Sequence, residues 1–204
     1  KSYAEDIRVK IDQKKATPSI RMGEEILTIE EAKETTHYSV IDKEGLAVAT
    51  TYTINGLYGS GVVAEETGIL LNNEMADFNM KPGYTNDKGL IGTKPNLIEP
   101  HKRMLSSMTP TVVIKDGKVY MITGSPGGRT IINTVLDVII NVIDFNIPIQ
   151  DAVDAPRMDH EWMPDLLRLE KESITEELIE SLKAMGHNMK ESSRWRQGDA
   201  HSIL

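Results

Sequence analysis

The chain of 204 residues carries 31 acidic against 23 basic side chains, a formal net charge of −8, which argues against a nucleic-acid or anionic membrane surface as its main partner. It has no cysteine, and its five histidines are scattered without HxxxH or HxH spacing, so disulfides, thiolate zinc sites and cysteine nucleophiles are excluded and a histidine-built metal site is disfavoured. No apolar run reaches the roughly 18 to 20 residues of a membrane span, no signal-peptide pattern occupies the first residues, and the length suits one domain better than two.

In chain order, residues 3–15 read as a short, highly charged helix that breaks at Thr17-Pro18, and the glutamate-rich residues 23–34 read as a linker leading to Thr35. Residues 35–61, TTHYSVIDKEGLAVATTYTINGLYGSG, predict a β-hairpin: HYSVID runs as a strand, Lys43-Glu44-Gly45 turns, and LAVATTYTI returns. Val40, Ala47, Val48 and Tyr52 alternate with polar residues, so at least one face is expected to be buried. A Thr-Thr pair entering a strand is ordinary β-propensity. It becomes chemistry only if the chain is cut before Thr35, because the freed α-amine, with an ordinary pKa of about 7.7 to 8, can then take the proton of that residue's own hydroxyl.

GILLNNEMADF, residues 68–78, reads as a buried strand that turns polar at Asn72, Asn73, Glu74 and Asp77, either a ligand-facing strand end or a solvated loop with Asx turns. Residues 80–100 are too rich in proline and glycine for long regular structure and are long for a loop, as lids and binding loops are. Leu105-Ser-Ser-Met108 precedes a second hairpin, PTVVIKDGKVYMITG, turning at Asp116-Gly117. That hairpin ends at Ser125-Pro-Gly-Gly128, where glycine amides beside a helix start can stabilise a developing oxyanion or simply make a turn. Residues 131–143, IINTVLDVIINVI, predict a nearly buried helix with one narrow polar stripe at Asn133, Asp137 and Asn141. Residues 148–155 predict a second, shorter helix ending before Pro156. Trp162, Met163 and residues 166–169 read as core. Thr175 reads as the cap of a further helix stopping at Gly186, and GDAHSIL as the start of a last strand. Strands, helices and strands again suggest a layered protein with hairpin-built, antiparallel sheets.

Five blocks in one order, TTHYSVIDKEG, TYTING.YGSG, GILLNNEMADF, KR.LSSMTPT and TGSPGG, resemble the γ-glutamyltranspeptidase family of N-terminal nucleophile hydrolases over nearly all of residues 35–204. The resemblance implies an α+β fold, the C-terminal part of a four-layer αββα sandwich of stacked antiparallel sheets. It implies that residues 1–34 are the end of a large subunit and pre-cleavage linker, and residues 35–204 the small, catalytic subunit. Thr35 is then the nucleophile that also severs the Glu34-Thr35 bond, and Thr53 the threonine that hydrogen-bonds it. Asn55, Glu74 and Asp77 would grip the substrate's α-amino group, with Glu74 standing where some members have glutamine. Ser106 and Ser107 would hold the α-carboxylate, and Gly127 and Gly128 supply the oxyanion-hole amides. Lys88 stands where several members carry a lid tyrosine, with Tyr84 nearby, and the arginine that completes carboxylate binding belongs to the large subunit.

The implied activity is γ-glutamyl transfer or hydrolysis through a threonine ester, on glutathione and related compounds, with no metal or organic cofactor. Water, an amino acid or a peptide would be the acceptor. The implied partner is the large subunit of the same precursor, and the implied location is periplasmic or extracellular. A related amidase, a poly-γ-glutamate depolymerase or a cephalosporin acylase, is the alternative enzyme, and an uncleaved inactive homologue the alternative from another class.

Overall fold

The computed structural model describes residues 2–19, 34–79, 82–83, 94–171, 175–191 and 197–204. The linker at residues 23–33, Tyr84 and Lys88 lie outside the described residues. Helix α1, Ser2–Arg8, is shorter than expected. The Asp12 carboxylate accepts the Lys14 N–H at 2.8 Å, a local turn that competes with helical hydrogen bonding. The chain beyond it is tied to the C-terminal half, since Ala16 N–H donates to the Met185 carbonyl at 2.7 Å, Ser19 N–H to the Asp165 carboxylate at 2.9 Å, and the Trp162 indole to the Ser19 carbonyl at 2.6 Å.

The first hairpin is β1, Thr36–Ile41, against β2, Ala47–Tyr52, in antiparallel register with His37 opposite Thr51 and Val40 opposite Val48. The second is β3, Thr111–Lys115, against β4, Lys118–Thr123, with a register shift at Val113/Ile114. Residues 201–204 run antiparallel to β4 through the reciprocal Ile122–Ile203 hydrogen bonds, both 2.9 Å, and His201 N–H to the Gly124 carbonyl at 2.9 Å. The last segment therefore pairs as an isolated bridge rather than a full strand. Strands β1 and β2 lie against β4, and behind β4 pack α2, Ile131–Ile143, and α3, Ile149–Asp154. Met121, Val138, Val142, Ala152 and Ala200 form that core. The result is a mixed α+β molecule in which helices back the second hairpin and the first hairpin covers its other side.

One expectation about faces is met and two are corrected. The alternation in the first hairpin does bury one face, but not the one bearing its large apolar residues: Val40 is 50% and Tyr52 57% exposed, and Tyr38 and Tyr52 meet edge to face on that open side. The inward face carries His37, Ser39, Ala49 and Thr51, and the His37 ring packs directly on Gly124. The apolar run Ile69 to Leu71 is exposed. Its pairing is confined to its own neighbour, with Leu71 N–H on the Val62 carbonyl and Ala64 N–H on the Ile69 carbonyl, and no second layer of described residues covers it. On α2, Ile132, Leu136 and Ile143 face outward. The polar stripe instead turns toward β5, Met158–Asp159, where the Asn133 amide donates to the Asp159 carboxylate at 2.5 Å.

The remaining sheet is β5, β6, Leu167–Leu169, and β7, Met189–Glu191. Strands β6 and β7 pair in parallel, departing from the all-antiparallel expectation. Helix α4, Glu176–Ala184, supplies the crossover that parallel pairing requires. As expected, the Thr175 hydroxyl caps α4 by accepting the Leu178 N–H, and Met163, Leu167 and Leu169 are buried while Trp162 is half-buried.

Candidate active site

Thr35 stands half-buried immediately before β1, and the peptide bond preceding it is gripped from the neighbouring strand. The Thr53 hydroxyl, just beyond the end of β2, donates to the carbonyl of Glu34. The same oxygen accepts the Asn55 N–H at 2.8 Å, so its one proton is aimed at that carbonyl. A hydroxyl so fixed polarises the carbonyl that the Thr35 side chain would attack in severing the Glu34-Thr35 bond, and it is in place to follow the charge that develops on that oxygen.

Asn55 is buried and holds φ at +70°, a left-handed conformation that asparagine tolerates better than most residues. Its amide donates to the Asn73 carbonyl at 3.2 Å, and the Asn73 side chain in turn accepts the Gly56 N–H at 2.9 Å. These bonds dock the exit of the first hairpin on the start of a single 3-10 turn, Glu74–Asp77. Glu74 N–H is capped by the Asn72 side chain at 3.0 Å. Both acids are half-buried. Burial pushes the Asp77 carboxyl above its ordinary range, and its hydrogen bond with the Glu74 side chain works in the opposite direction. Two acids half-buried on one short turn favour a cation beside them.

Ser106 is exposed and Ser107 half-buried in the irregular segment before β3, where Met108 N–H donates to the Ser106 hydroxyl at 3.2 Å. Asn96, which drew no notice in the sequence, connects this segment to the acids. It is buried, its amide nitrogen donates to the Asp77 carbonyl at 2.6 Å and contacts the Asn79 side chain at 3.3 Å, and its amide oxygen accepts the Leu105 N–H at 2.8 Å.

Gly127 and Gly128 lie between β4 and α2, with φ of +139° and +60°. The Gly127 carbonyl accepts from the Thr130 N–H at 3.3 Å and from its hydroxyl at 3.0 Å. A Cβ on Gly127 would lie 2.7 Å from the Thr130 hydroxyl and 3.1 Å from Gly198 Cα, so both backbone angle and space demand glycine. Arg129 anchors the turn by an ion pair of 3.0 Å to Glu161, which also pairs with Arg168 at 3.0 Å.

His37 is the second residue missed in the sequence. Its ring is fully buried and lies against Gly124, close enough that a Cβ there would be 2.0 Å from a ring carbon. Ser39 donates its hydroxyl proton to the His201 carbonyl at 3.0 Å, so at its 3.1 Å contact with Nε2 it accepts, which puts the ring proton on Nε2. Nδ1 then accepts from the Thr51 hydroxyl at 2.6 Å. Burial, with the nearby His201 adding to it, holds the imidazole below its usual pKa and therefore neutral. The chain Thr51, His37, Ser39, His201 ties β1, which follows Thr35, to β2 and to the C-terminal segment. The HYS run carried the signal, since polar residues at alternate positions of one strand share a face.

Among the described residues there is no cluster of histidine and acidic side chains suited to a metal ion, and no helix is long and apolar enough to cross a membrane.

The family profile described as Gamma-glutamyltranspeptidase matches residues 1–204. A curated relative, the glutathione hydrolase proenzyme of Escherichia coli (strain K12), is 48% identical over 204 residues, which are 100% of this chain and 35% of that protein. Among solved structures, a mutant of Helicobacter pylori γ-glutamyltranspeptidase superposes with a TM-score of 0.77 at 50% identity, covering 83% of this chain and 90% of the other. The cephalosporin acylase of Bacillus halodurans superposes with a TM-score of 0.73 at 25% identity, over 98% of this chain and 33% of its own. The chain spans about a third of the length of the curated relatives it matches. With its family profile covered from end to end and relatives near half identity, the chain belongs to the γ-glutamyltranspeptidase family.

Proposed function

We propose that this chain carries the catalytic residues of a γ-glutamyl hydrolase or transferase acting on glutathione and related compounds, matured by self-cleavage between Glu34 and Thr35. The observation that carries the reading is the Thr53 hydroxyl directed at the Glu34 carbonyl, beside a threonine that leads β1. Before cleavage the Thr35 hydroxyl attacks that carbonyl and the Glu34-Thr35 C–N bond breaks, the nitrogen taking up a proton to become the free α-amine. Water then hydrolyses the ester so formed, releasing the Glu34 carboxyl and returning the Thr35 hydroxyl. In the mature enzyme this amine takes the hydroxyl proton, the oxygen attacks the γ-glutamyl carbonyl, and the amides of Gly127 and Gly128 receive the oxyanion. The proton passes to the leaving amine, and water or an acceptor amine resolves the γ-glutamyl-threonine ester.

In this reading Asn55, Glu74 and Asp77 take the α-ammonium, and Ser106 and Ser107 the α-carboxylate. The two half-buried acids on one short turn support the first part, because an ammonium supplies the opposite charge that burial withholds from water. Residues 1–34 are then the end of a large subunit and residues 35–204 the small one. The open apolar face of the first hairpin is a surface such a partner would cover. Action outside the cytoplasm, in the periplasm or extracellular space, belongs to the same proposal.

The test uses the full-length protein. Its intact mass resolves into two polypeptides split before Thr35, it hydrolyses γ-glutamyl-p-nitroanilide, and Thr35→Ala abolishes both. A wild type that prefers the glutaryl analogue, which lacks the α-amine, overturns the γ-glutamyl assignment in favour of an acylase, and one that persists as a single inactive chain overturns both.

A further inference from the structure

We propose that Asn96 is a positioning residue that sets the spacing between the acids reading the donor's α-ammonium and the serines reading its α-carboxylate. The inference rests on the function proposed above. One buried side-chain amide touches both halves: its nitrogen holds the Asp77 carbonyl at 2.6 Å and its oxygen holds Leu105 N–H, the residue before Ser106, at 2.8 Å. The backbone reinforces the join, since Asn79 N–H donates to the Asn96 carbonyl at 2.8 Å and Asn79 pairs with Leu97.

The geometry explains why a primary amide stands here. The Asp77 carbonyl is an acceptor and Leu105 N–H a donor, so the group between them must offer one of each, and a buried partner left without either incurs a desolvation penalty. The Glu74–Asp77 turn and the segment carrying Ser106 and Ser107 both lack regular strand pairing of their own. Their separation is therefore set by cross-links, and Asn96 is the side chain that makes one to each. Ammonium and carboxylate sit on a single carbon of the donor, so a small change in this separation weakens both contacts together. The reacting carbonyl lies at the other end of the donor, over Thr35 and the glycine pair.

The prediction is a split between binding and chemistry, measured in the full-length processed enzyme. Asn96→Ala, which removes both contacts, raises KM for γ-glutamyl-p-nitroanilide about tenfold or more and leaves kcat within about threefold. Self-cleavage before Thr35, which uses no donor, proceeds at the wild-type rate. Asn96→Asp keeps the acceptor for Leu105 N–H but loses the donor to Asp77, so its KM also rises. Being of the same size, it carries the test if Asn96→Ala does not fold. An unchanged KM in the folded variant overturns the proposal. So does a parallel fall in kcat, self-cleavage rate and unfolding midpoint, which marks a scaffold residue without a role in donor reading. Failure of the functional reading is distinct: there the wild type itself shows no preference for the γ-glutamyl over the glutaryl compound.

Discussion

Removing the Thr53 hydroxyl tests the geometry at the Glu34-Thr35 bond most directly. Attack by Thr35 turns the planar Glu34 carbonyl into a tetrahedral centre with negative charge on its oxygen, and the Thr53 hydroxyl already points at that oxygen. Its orientation requires no further change, because Asn55 N–H occupies one of its lone pairs at 2.8 Å. Loss of one such preorganised donor raises a barrier by about 3 kcal/mol, on the order of a hundredfold in rate. Thr53→Ala should therefore slow appearance of the two polypeptides about a hundredfold, followed by intact mass at timed intervals in the full-length protein. It also strands Asn55 N–H, a stability cost of about 1 kcal/mol, so the unfolding midpoint is recorded alongside. Thr53→Ser restores the donor and should mature within a few-fold of wild type. Cleavage of Thr53→Ala at the wild-type rate, or of Thr53→Ser as slowly as Thr53→Ala, refutes the argument.

Three further outcomes concern stability. Gly124→Ala would place a methyl 2.0 to 2.6 Å from three atoms of the buried His37 ring, so it should destabilise by about 3 kcal/mol, read as a lower midpoint in chemical denaturation. Gly61→Ala, where no atom lies within 4 Å and only the positive φ opposes the change, should cost about 1 kcal/mol. Burial raises the Asp137 carboxyl to about 6, against the pull of the Met158 backbone and Arg157. The folded state thus holds this proton more tightly than the unfolded chain, and the penalty for ionising it is absent below about pH 4 and complete above about pH 6. Asp137→Asn should stabilise at neutral pH by about 1 kcal/mol after allowance for the partial solvent screening of a half-buried group, and the gain should fade as pH drops toward 4 in parallel denaturant titrations.

Helices α2, α3 and α4 were legible because their limits are local: prolines and glycines bound them, and Thr175 caps the last. Both hairpins were legible from their turns. The orientation of their faces was not, because alternation reports that a strand has two unlike sides and leaves open which one meets a neighbour. In β1 and β2 the neighbour is Gly124, on which the His37 ring packs, and the side bearing Val40, Val48 and Tyr52 lies outward. The polar stripe of α2 inverts for a similar reason, since Asp159 and the Met158 backbone offer hydrogen bonds that water would otherwise supply. Of the candidate site, the residue types came from motif order. The bonds joining them, Thr53 to Glu34 and Asn96 to both Asp77 and Leu105, depend on contacts between segments far apart in sequence. Asn96 has no local signature at all.

The hydrogen bond from Ser39 to the carbonyl of His201 spans 162 residues of chain. On a ribosome, the strand behind Thr35 emerges long before its last support exists, and until residues 201–203 arrive the Ser39 hydroxyl and the edge of β4 at Ile122 must bond to water instead. Order along β1 is thus completed late in synthesis. A chain interrupted before His201 would keep Thr35, Thr53 and the glycine pair while lacking the bond through Ser39 that holds His37 in its tautomer.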